Sequence, residues 1–539
     1  MSEISAQSTT ESDKIATFCK VWGFLKYYHP NVATGAIDWD KEFIIKIKKL
    51  DSLHSKQDIN TFYLQWIQGL GKVNKCWGVD KGNRKPIKLT PDLEWLNDTS
   101  KFSRQLVTKF QHIKRNRSRK ENYHVKSDLS IGHYSSFETE NCYPDSVFPS
   151  PQLRLLTLAR YWNVVNYFFP YKYLIGQNWD VVLSEMIPEF RDSKDKPSYH
   201  LSILKLVAKL NDTHAKFETP YTNKYFGFKW APFRFKLINN KAVVTSFYND
   251  SLCKVNDIQY GDVFLSVNSK SIEQIIKEKY EYIEASNNPS KLRDFYYAIF
   301  NGNTDSVEVT FERNGIISSK IITRYYYSEL NFDWLKYYNQ RALCKIIDGN
   351  IAYVNVGHLS LANVDSILRE IQNTSGIIFD LRNGANGTMF KIAEFLNTDP
   401  QPFAKPAIPD ISYPGRFIYT NTYYCGLKNK NAYKGKVILL FNDSTQSHAE
   451  FTLMALETAP NVISIGSQTA GADGNVSCIC LPGDFKTCFS GVGIYYPDGR
   501  ETQRIGIVPD IEVMQTIEGI RQKRDELLEK AIEVIRTTK

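Results

Sequence analysis

The segment KVWGFLKYYHP, from Lys20 to Pro30, recurs as RYWNVVNYFFP from Arg160 to Pro170, an offset of 140 residues. The same offset carries Trp22 onto Trp162, Tyr27 onto Tyr167, Pro30 onto Pro170, and the pair Trp39-Asp40 onto Trp179-Asp180. Such self-similarity fixes the folding unit before any single element is read. Each copy sets apolar residues at i, i+3, i+4 and i+7 ahead of a proline that stops the helix, with more helical sequence after it. The pattern predicts a duplicated helical module, residues 1–100 and 151–225, joined by a polar stretch over 101–150. Lys114, Arg115, Arg117, Arg119 and Lys120 make that stretch basic. A nucleic-acid or acidic-surface contact is one reading of such a run, and a solvated linker is the expected one. His29 becomes Phe169 in the second copy, which marks the position as packing.

At 539 residues the chain has room for about three to five domains. Its 67 basic and 58 acidic side chains leave +9, too dilute over that length to argue for nucleic acid or an anionic membrane. No window approaches the ~18 apolar residues that cross a bilayer, so no membrane span is expected. The opening MSEISAQSTTESDK lacks a basic and an apolar region, so no secretion signal is read there. Nine cysteines include no C-x-x-C, and ordinary strand thiols are expected. Cys478, Cys480 and Cys488 are the exception that could hold a metal or a bridge.

From Phe226 to about Arg324 the texture changes to short alternating runs, FKLINNKAVVTSF, DIQYGDVFLSVNSKSI and DSVEVTFERNG, which is strand chemistry. The stretch YGDVFLSVN, the helical segment near Ile272 to Ile283 and the strand Val307 to Phe311 resemble a PDZ domain, assigned to 226–330. Its carboxylate-binding loop would fall near Lys229 to Pro232. Such modules bind a peptide as an added strand.

Residues 331–539 read as α/β. IAYVNV, GIIFDL, KVILLF and VISIG are fully apolar strands separated by helical stretches such as Asn363 to Gln372, the signature of a buried, largely parallel sheet. Active groups in such sheets gather at the carboxyl ends of the strands. After KVILLF, Ser447 opens a helix beside free N–H groups that can hold an oxyanion. The spacing Ser447 to Glu450 is also that of a capping box. After GIIFDL, the turn DLRNGANG offers backbone amides.

DLRNGANG, NDSTQSHAE, GSQTAGADG and YYPDGRETQRIGIVPDIEV stand in the order found in the tail-specific, or carboxyl-terminal-processing, serine peptidases, which the chain resembles over about 190 residues. The resemblance implies a multidomain α/β enzyme that needs no metal and no cofactor. It departs at Ala472, where members with a Ser-Lys dyad carry lysine after T-A-G. The tricorn-core branch instead takes a histidine from the helical domain, preceded by a hydroxyl residue, with a late glutamate behind it. His214, Thr213 and Glu501 match those roles, with Ser447 as nucleophile and the main-chain N–H groups of His448 and Gly384 holding the oxyanion. His358 is the rival base. The function expected is serine endopeptidase action on unfolded or C-terminal peptide segments. A catalytically inactive peptide-binding protein and an esterase are the alternatives. Relatives are mostly exported, which implies an extracytoplasmic compartment against a cytoplasmic alternative. A final amphipathic helix is expected over Ile517 to Ile535.

Overall fold

The computed structural model describes residues 10–76, 85–119, 122–128, 133–333, 335 and 342–537. In the first repeat copy, helices α1 (Glu11–Tyr28), α2 (Trp39–Leu50) and α3 (Lys56–Gly69) pack together. Helices α5 (Pro151–Phe168), α6 (Trp179–Arg191) and α7 (Lys196–Ala208) form the second. The repeated tryptophans explain the shared sequence. Trp22 Nε1 donates to the Trp39 carbonyl at 3.1 Å and Trp39 Nε1 returns to Trp22 at 3.2 Å. Trp162 and Trp179 exchange the same bonds at 2.7 and 3.1 Å. Each indole buries its ring and still satisfies its one donor, which locks the two helices at a fixed angle. His29 is fully buried with both ring nitrogens unpartnered, and burial pushes its pKa down to about 4.

The stretch between the copies is not a solvated linker. It holds α4 (Arg104–Arg115), whose Leu106, Phe110 and Ile113 face the core at i, i+4 and i+7. Arg117 is 4% exposed, donates to the Ser412 carbonyl at 2.9 Å and lies 3.7 Å from the Tyr413 ring centroid. Part of the basic run therefore serves packing, while Lys120 lies outside the described residues.

The middle of the chain forms an antiparallel sheet of β1 (Phe233–Ile238), β2 (Lys241–Phe247), β3 (Val263–Val267), β4 (Ser306–Arg313) and β5 (Ile316–Thr323). Its order is β5-β4-β3-β2-β1, with Lys270–Ser271 beside β3. Helix Ile272–Lys279 follows that short strand.

The last part is a six-stranded sheet of β6 (Cys344–Ile347), β7 (Ile351–Asn355), β8 (Gly376–Asp380), β9 (Lys436–Phe441), β10 (Val462–Gly466) and β13 (Ile511–Glu512), ordered β6-β7-β8-β9-β10-β13. Only β6 runs antiparallel to its neighbour. Strands β7 and β8 are buried at every position, as their unbroken apolar runs require. Gly466 ends β10 at φ +148°, where an added Cβ would meet the Phe441 carbonyl at 1.8 Å. Two strands, β11 (Val476–Leu481) and β12 (Phe485–Ser490), form a separate hairpin. The expected terminal helix is broken into Ile517–Arg521 and Glu526–Thr537, because Lys523 adopts φ +55°. No described helix is long and apolar enough to cross a membrane.

The cysteines depart from the expected free thiols. Cys478 pairs with Cys488 across the β11–β12 hairpin, and Cys142 with Cys480 across 338 residues. In the antiparallel ladder Cys478 stands opposite Cys488, where the Cβ atoms are close enough to bridge.

Candidate active site

Strand β9 ends at Phe441 and the chain turns sharply into the helix His448–Leu456, with Ser447 at φ +56° and ψ −123°. A serine with a Cβ pays steric strain in that region, and the strain persists because surrounding bonds hold it. The Ser447 N–H donates to the Ala472 carbonyl and to Glu450 Oε2, both at 3.0 Å. Glu450 is 1% exposed and also accepts from Thr469 Oγ1 at 2.5 Å, Gly471 N–H at 2.8 Å and Ala472 N–H at 3.1 Å. Burial pushes its carboxyl pKa up against these four donors. The acidic residue of S-x-x-E thus fastens the T-A-G turn to the serine elbow. Ala472 is fully buried, a methyl where the lysine of a Ser-Lys dyad would stand.

The DLR loop is anchored from behind. Arg382 binds Asp380 through its N–H, Nε and Nη2 at 3.0, 2.9 and 2.7 Å, and reaches Asp525 with two further bonds of 2.8 Å. Tyr353 also donates to Asp380 at 2.8 Å. At the tip the Gly387 N–H donates to His448 Nε2 at 3.1 Å, so the loop meets the residue after the serine. The Gly384 N–H is instead closed on the Leu381 carbonyl at 3.1 Å. Both loop amides are thus occupied, Gly384 by the Leu381 carbonyl and Gly387 by the His448 ring, and neither stands free as the oxyanion donor expected of Gly384. The His448 N–H, in the first helical turn, has no carbonyl one turn before it.

His214 follows α7 on a turn whose neighbour Thr213 is 2% exposed. The Thr213 hydroxyl meets Ser286 Oγ at 3.0 Å and the Ala470 carbonyl at 3.4 Å, and Thr213 N–H donates to Ser286 Oγ at 2.8 Å. Two residues beyond Ala470, Ala472 takes the Ser447 N–H. The turn carrying His214 and the elbow carrying Ser447 are thus fastened to one short segment. His214 Nδ1 lies 2.9 Å from Ser490 Oγ, and that hydroxyl donates to Asp212 Oδ1 at 3.0 Å. Since the single hydroxyl proton goes to the carboxylate, Ser490 accepts from Nδ1–H, and the lone pair stands on Nε2. Asp212 is fully buried and also takes Ser490 N–H at 2.6 Å, His214 N–H at 3.2 Å and Gln503 Nε2 at 3.2 Å. Burial lowers the His214 pKa, with the Asp212 charge opposing.

Glu501 does not reach this group. Its Oε1 accepts from Lys88 Nζ at 3.1 Å and from Tyr173 at 2.6 Å. The chain turns after Thr502, with Arg504 at φ +65°, and the side chain that meets Asp212 is that of Gln503 rather than Glu501. His358 sits on a turn after β7 with Nδ1 3.5 Å from Asn355 Nδ2. Asp212, Ser490 and Gln503 carried no local signal of their role, although the D-T-H spacing placed Asp212 two residues from the histidine.

Residues 350–513 match peptidase family S41. The catalytic domain is that of a family S41 serine peptidase. Mature CPAF complexed with lactacystin superposes with a TM-score of 0.56 at 12% identity, covering 72% of this chain and 98% of that one. Mature CPAF alone gives 0.55 at 12% over 72% and 97%. A putative peptidase from Parabacteroides merdae ATCC 43184 aligns at 16% identity over 72% and 97%, with a TM-score of 0.45. The likeness to CPAF is one of fold, and it extends beyond the S41 match into the parts of the chain ahead of it. No curated protein matches the chain.

Proposed function

We propose that this S41 peptidase cleaves peptide bonds through an acyl-enzyme on Ser447. His214 Nε2 removes the hydroxyl proton and then delivers it to the leaving amine. Asp212, acting through Ser490, holds the Nδ1–H tautomer and stabilises the imidazolium, the role first expected of Glu501. The main-chain N–H of His448 receives the oxyanion, and a loop amide joins it only once the Gly387 N–H leaves the His448 ring. Thr213 positions the base by docking its turn and does not relay charge. The observation that carries the reading is the His214–Ser490–Asp212 chain of 2.9 and 3.0 Å, which leaves a free base on Nε2.

Unfolded segments or carboxyl-terminal tails are the substrates proposed. The middle sheet would recruit them as an added strand, and β1 is an edge strand on the described side of it. Two disulfides favour an oxidising, extracytoplasmic compartment. The test is labelling with a fluorophosphonate and digestion of a denatured protein mixture, each with the native chain and with Ser447→Ala. Labelling and cleavage should both vanish in the variant. Cleavage that survives Ser447→Ala would overturn the assignment, and a native chain that neither labels nor cuts would favour the inactive peptide-binding alternative.

A further inference from the structure

A cavity of about 280 Å³ opens where the helical, middle and catalytic parts meet, lined among others by Gly176, Lys209, Asn211, Glu281, Lys291 and Arg504. Its charges do not balance. Lys209 Nζ is spent on Gln177 at 2.9 Å and Glu185 at 3.2 Å, and Glu281 is paired with Lys205 at 3.1 Å. Two cations remain. Lys291 is 7% exposed and has no carboxylate within 4 Å among the described residues; its ammonium meets only the Tyr280 ring, 3.9 Å from the centroid. Arg504 donates to the carbonyls of Ser286, at 3.1 Å, and Leu174, and likewise has no carboxylate partner among the described residues. Glu284 acts on Lys291 electrostatically without an ion pair, accepts the Phe217 N–H at 2.9 Å, and has its own carboxyl pKa pushed up by burial.

A buried ammonium without a counter-charge is costly, and burial depresses the Lys291 pKa to about 8. An anion in the cavity would raise that pKa again and satisfy both cations at once. Further donors are to hand, because the Asn211 side-chain oxygen is taken by the Gly176 N–H at 2.9 Å, which leaves its amide N–H groups for a ligand. The volume is small against clefts for drug-sized ligands, roughly 300 to 1,000 Å³, and suits one compact acidic group.

We propose that this cavity binds a small oxyanion, a carboxylate or a phosphate, between Lys291, Arg504 and the Asn211 amide. The site is distinct from the Ser447 chemistry and does not depend on it, although Asn211 and Arg504 directly adjoin Asp212 and Gln503. A carboxylate could come from a peptide terminus and a phosphate from solution, so titration calorimetry of the full chain would use three probes. These are inorganic phosphate, an acetylated dipeptide with a free carboxyl terminus, and the same dipeptide amidated. Saturable one-to-one binding of phosphate or of the free-carboxyl dipeptide is expected, and none of the amide. Lys291→Met should weaken that binding at least tenfold, and Lys291→Arg should hold it within about threefold. Gly176→Asp supplies a second handle if Lys291→Met melts early. An added Cβ at Gly176 stands 3.1 Å from Asn211 Oδ1, which must give slightly, and 3.7 Å from Arg504 Nη1, so the new carboxylate would occupy the site and abolish anion binding. Absence of saturable binding by either oxyanion, or binding undiminished in both charge variants, would overturn the proposal.

Discussion

Ser490→Ala removes one hydroxyl from the centre of the base assembly and leaves everything around it in place. The Ser490 N–H still donates to Asp212 Oδ2 at 2.6 Å, and Gln503 and the His214 N–H still hold Oδ1, so Asp212 stays fixed. What is lost is the acceptor for His214 Nδ1–H at 2.9 Å. A buried donor left without a partner costs roughly 1 to 3 kcal/mol. The cost falls on the orientation and tautomer that the transition state needs, so kcat/KM should fall about 5- to 150-fold at neutral pH. The fall should lie in kcat, since the hydroxyl does not face substrate. The pH profile separates this from simple loosening. Burial holds the His214 pKa below its ordinary ~6.5, so activity should fade only as pH drops beneath that value. Ser490→Ala weakens support for the imidazolium and should move the acid limb lower still. Stopped-flow or steady-state hydrolysis of a chromogenic peptide across pH 4 to 9, with Ser490→Thr as the rescue, reads both quantities. Native kcat/KM in Ser490→Ala, or an acid limb that moves upward, would refute the relay.

Other outcomes follow from the same structure. Glu501→Gln should keep turnover within a few-fold and cost at most about 1 kcal/mol of stability, because it touches Lys88 and Tyr173 rather than the base; a thousandfold loss of kcat would restore Glu501 to the site. Cys488→Ser opens the bridge two residues before Ser490 and should cost about 2 to 4 kcal/mol together with activity, measured by thermal melting and by hydrolysis; an unchanged Tm would contradict it. His29, His124 and His200 are buried with pKa values pushed down to about 4. The unfolded chain takes up those protons near pH 6.5 while the folded chain refuses them, so stability present above that pH is lost as pH falls toward 4. Each histidine contributes a slope of up to about 1.4 kcal/mol per pH unit, testable by urea melts at pH 7, 6 and 5, and flat midpoints would count against it.

The catalytic sheet was legible because its strands are buried on both faces. KVILLF and VISIG coincide with β9 and β10, and the strained turn at Ser447 sits where the motif placed it. The relay behind the histidine was not legible. Asp212 lies 278 residues from Ser490 and 291 from Gln503, and nothing local in any of the three announces a hydrogen bond to the others. Glu501 drew attention because it matches the late glutamate of the tricorn-core pattern, whereas Gln503, two residues on and the one that meets Asp212, has no counterpart in that pattern. The same blindness hid Cys142–Cys480 and the buried face of α4, whose three apolar positions are spread through a basic segment.

The proposed nucleophile and base belong to different parts of the chain, and on that reading docking between those parts is a condition for chemistry. Ser447 comes from the sheet that ends the chain, His214 from the loop after α7, and Ser490 from the β11–β12 hairpin that Cys142–Cys480 ties back to the segment ahead of α5. Asn287, from the middle part, donates to the carbonyls of Thr469 at 2.7 Å and Arg504 at 3.2 Å, while Thr213 joins Ser286 to Ala470. Each of these bonds crosses a junction, and all but the Thr213–Ser286 bond end on the T-A-G turn or on the return beside it. Asn287→Ala should therefore reduce kcat without touching any reacting atom, by loosening the turn on which the elbow and the base are both fastened. Alanine also removes the cap that Asn287 Oδ1 makes with Ser290 N–H at 3.0 Å and Ser290 Oγ at 2.8 Å, a cost that falls on stability, so the kcat loss expected from the two bonds across the junction is about 1 to 2 kcal/mol or roughly 5- to 30-fold, and Ser447 should still label with a fluorophosphonate at a correspondingly slower rate. Labelling and hydrolysis at native rates in Asn287→Ala would show that the three parts hold their positions without this contact.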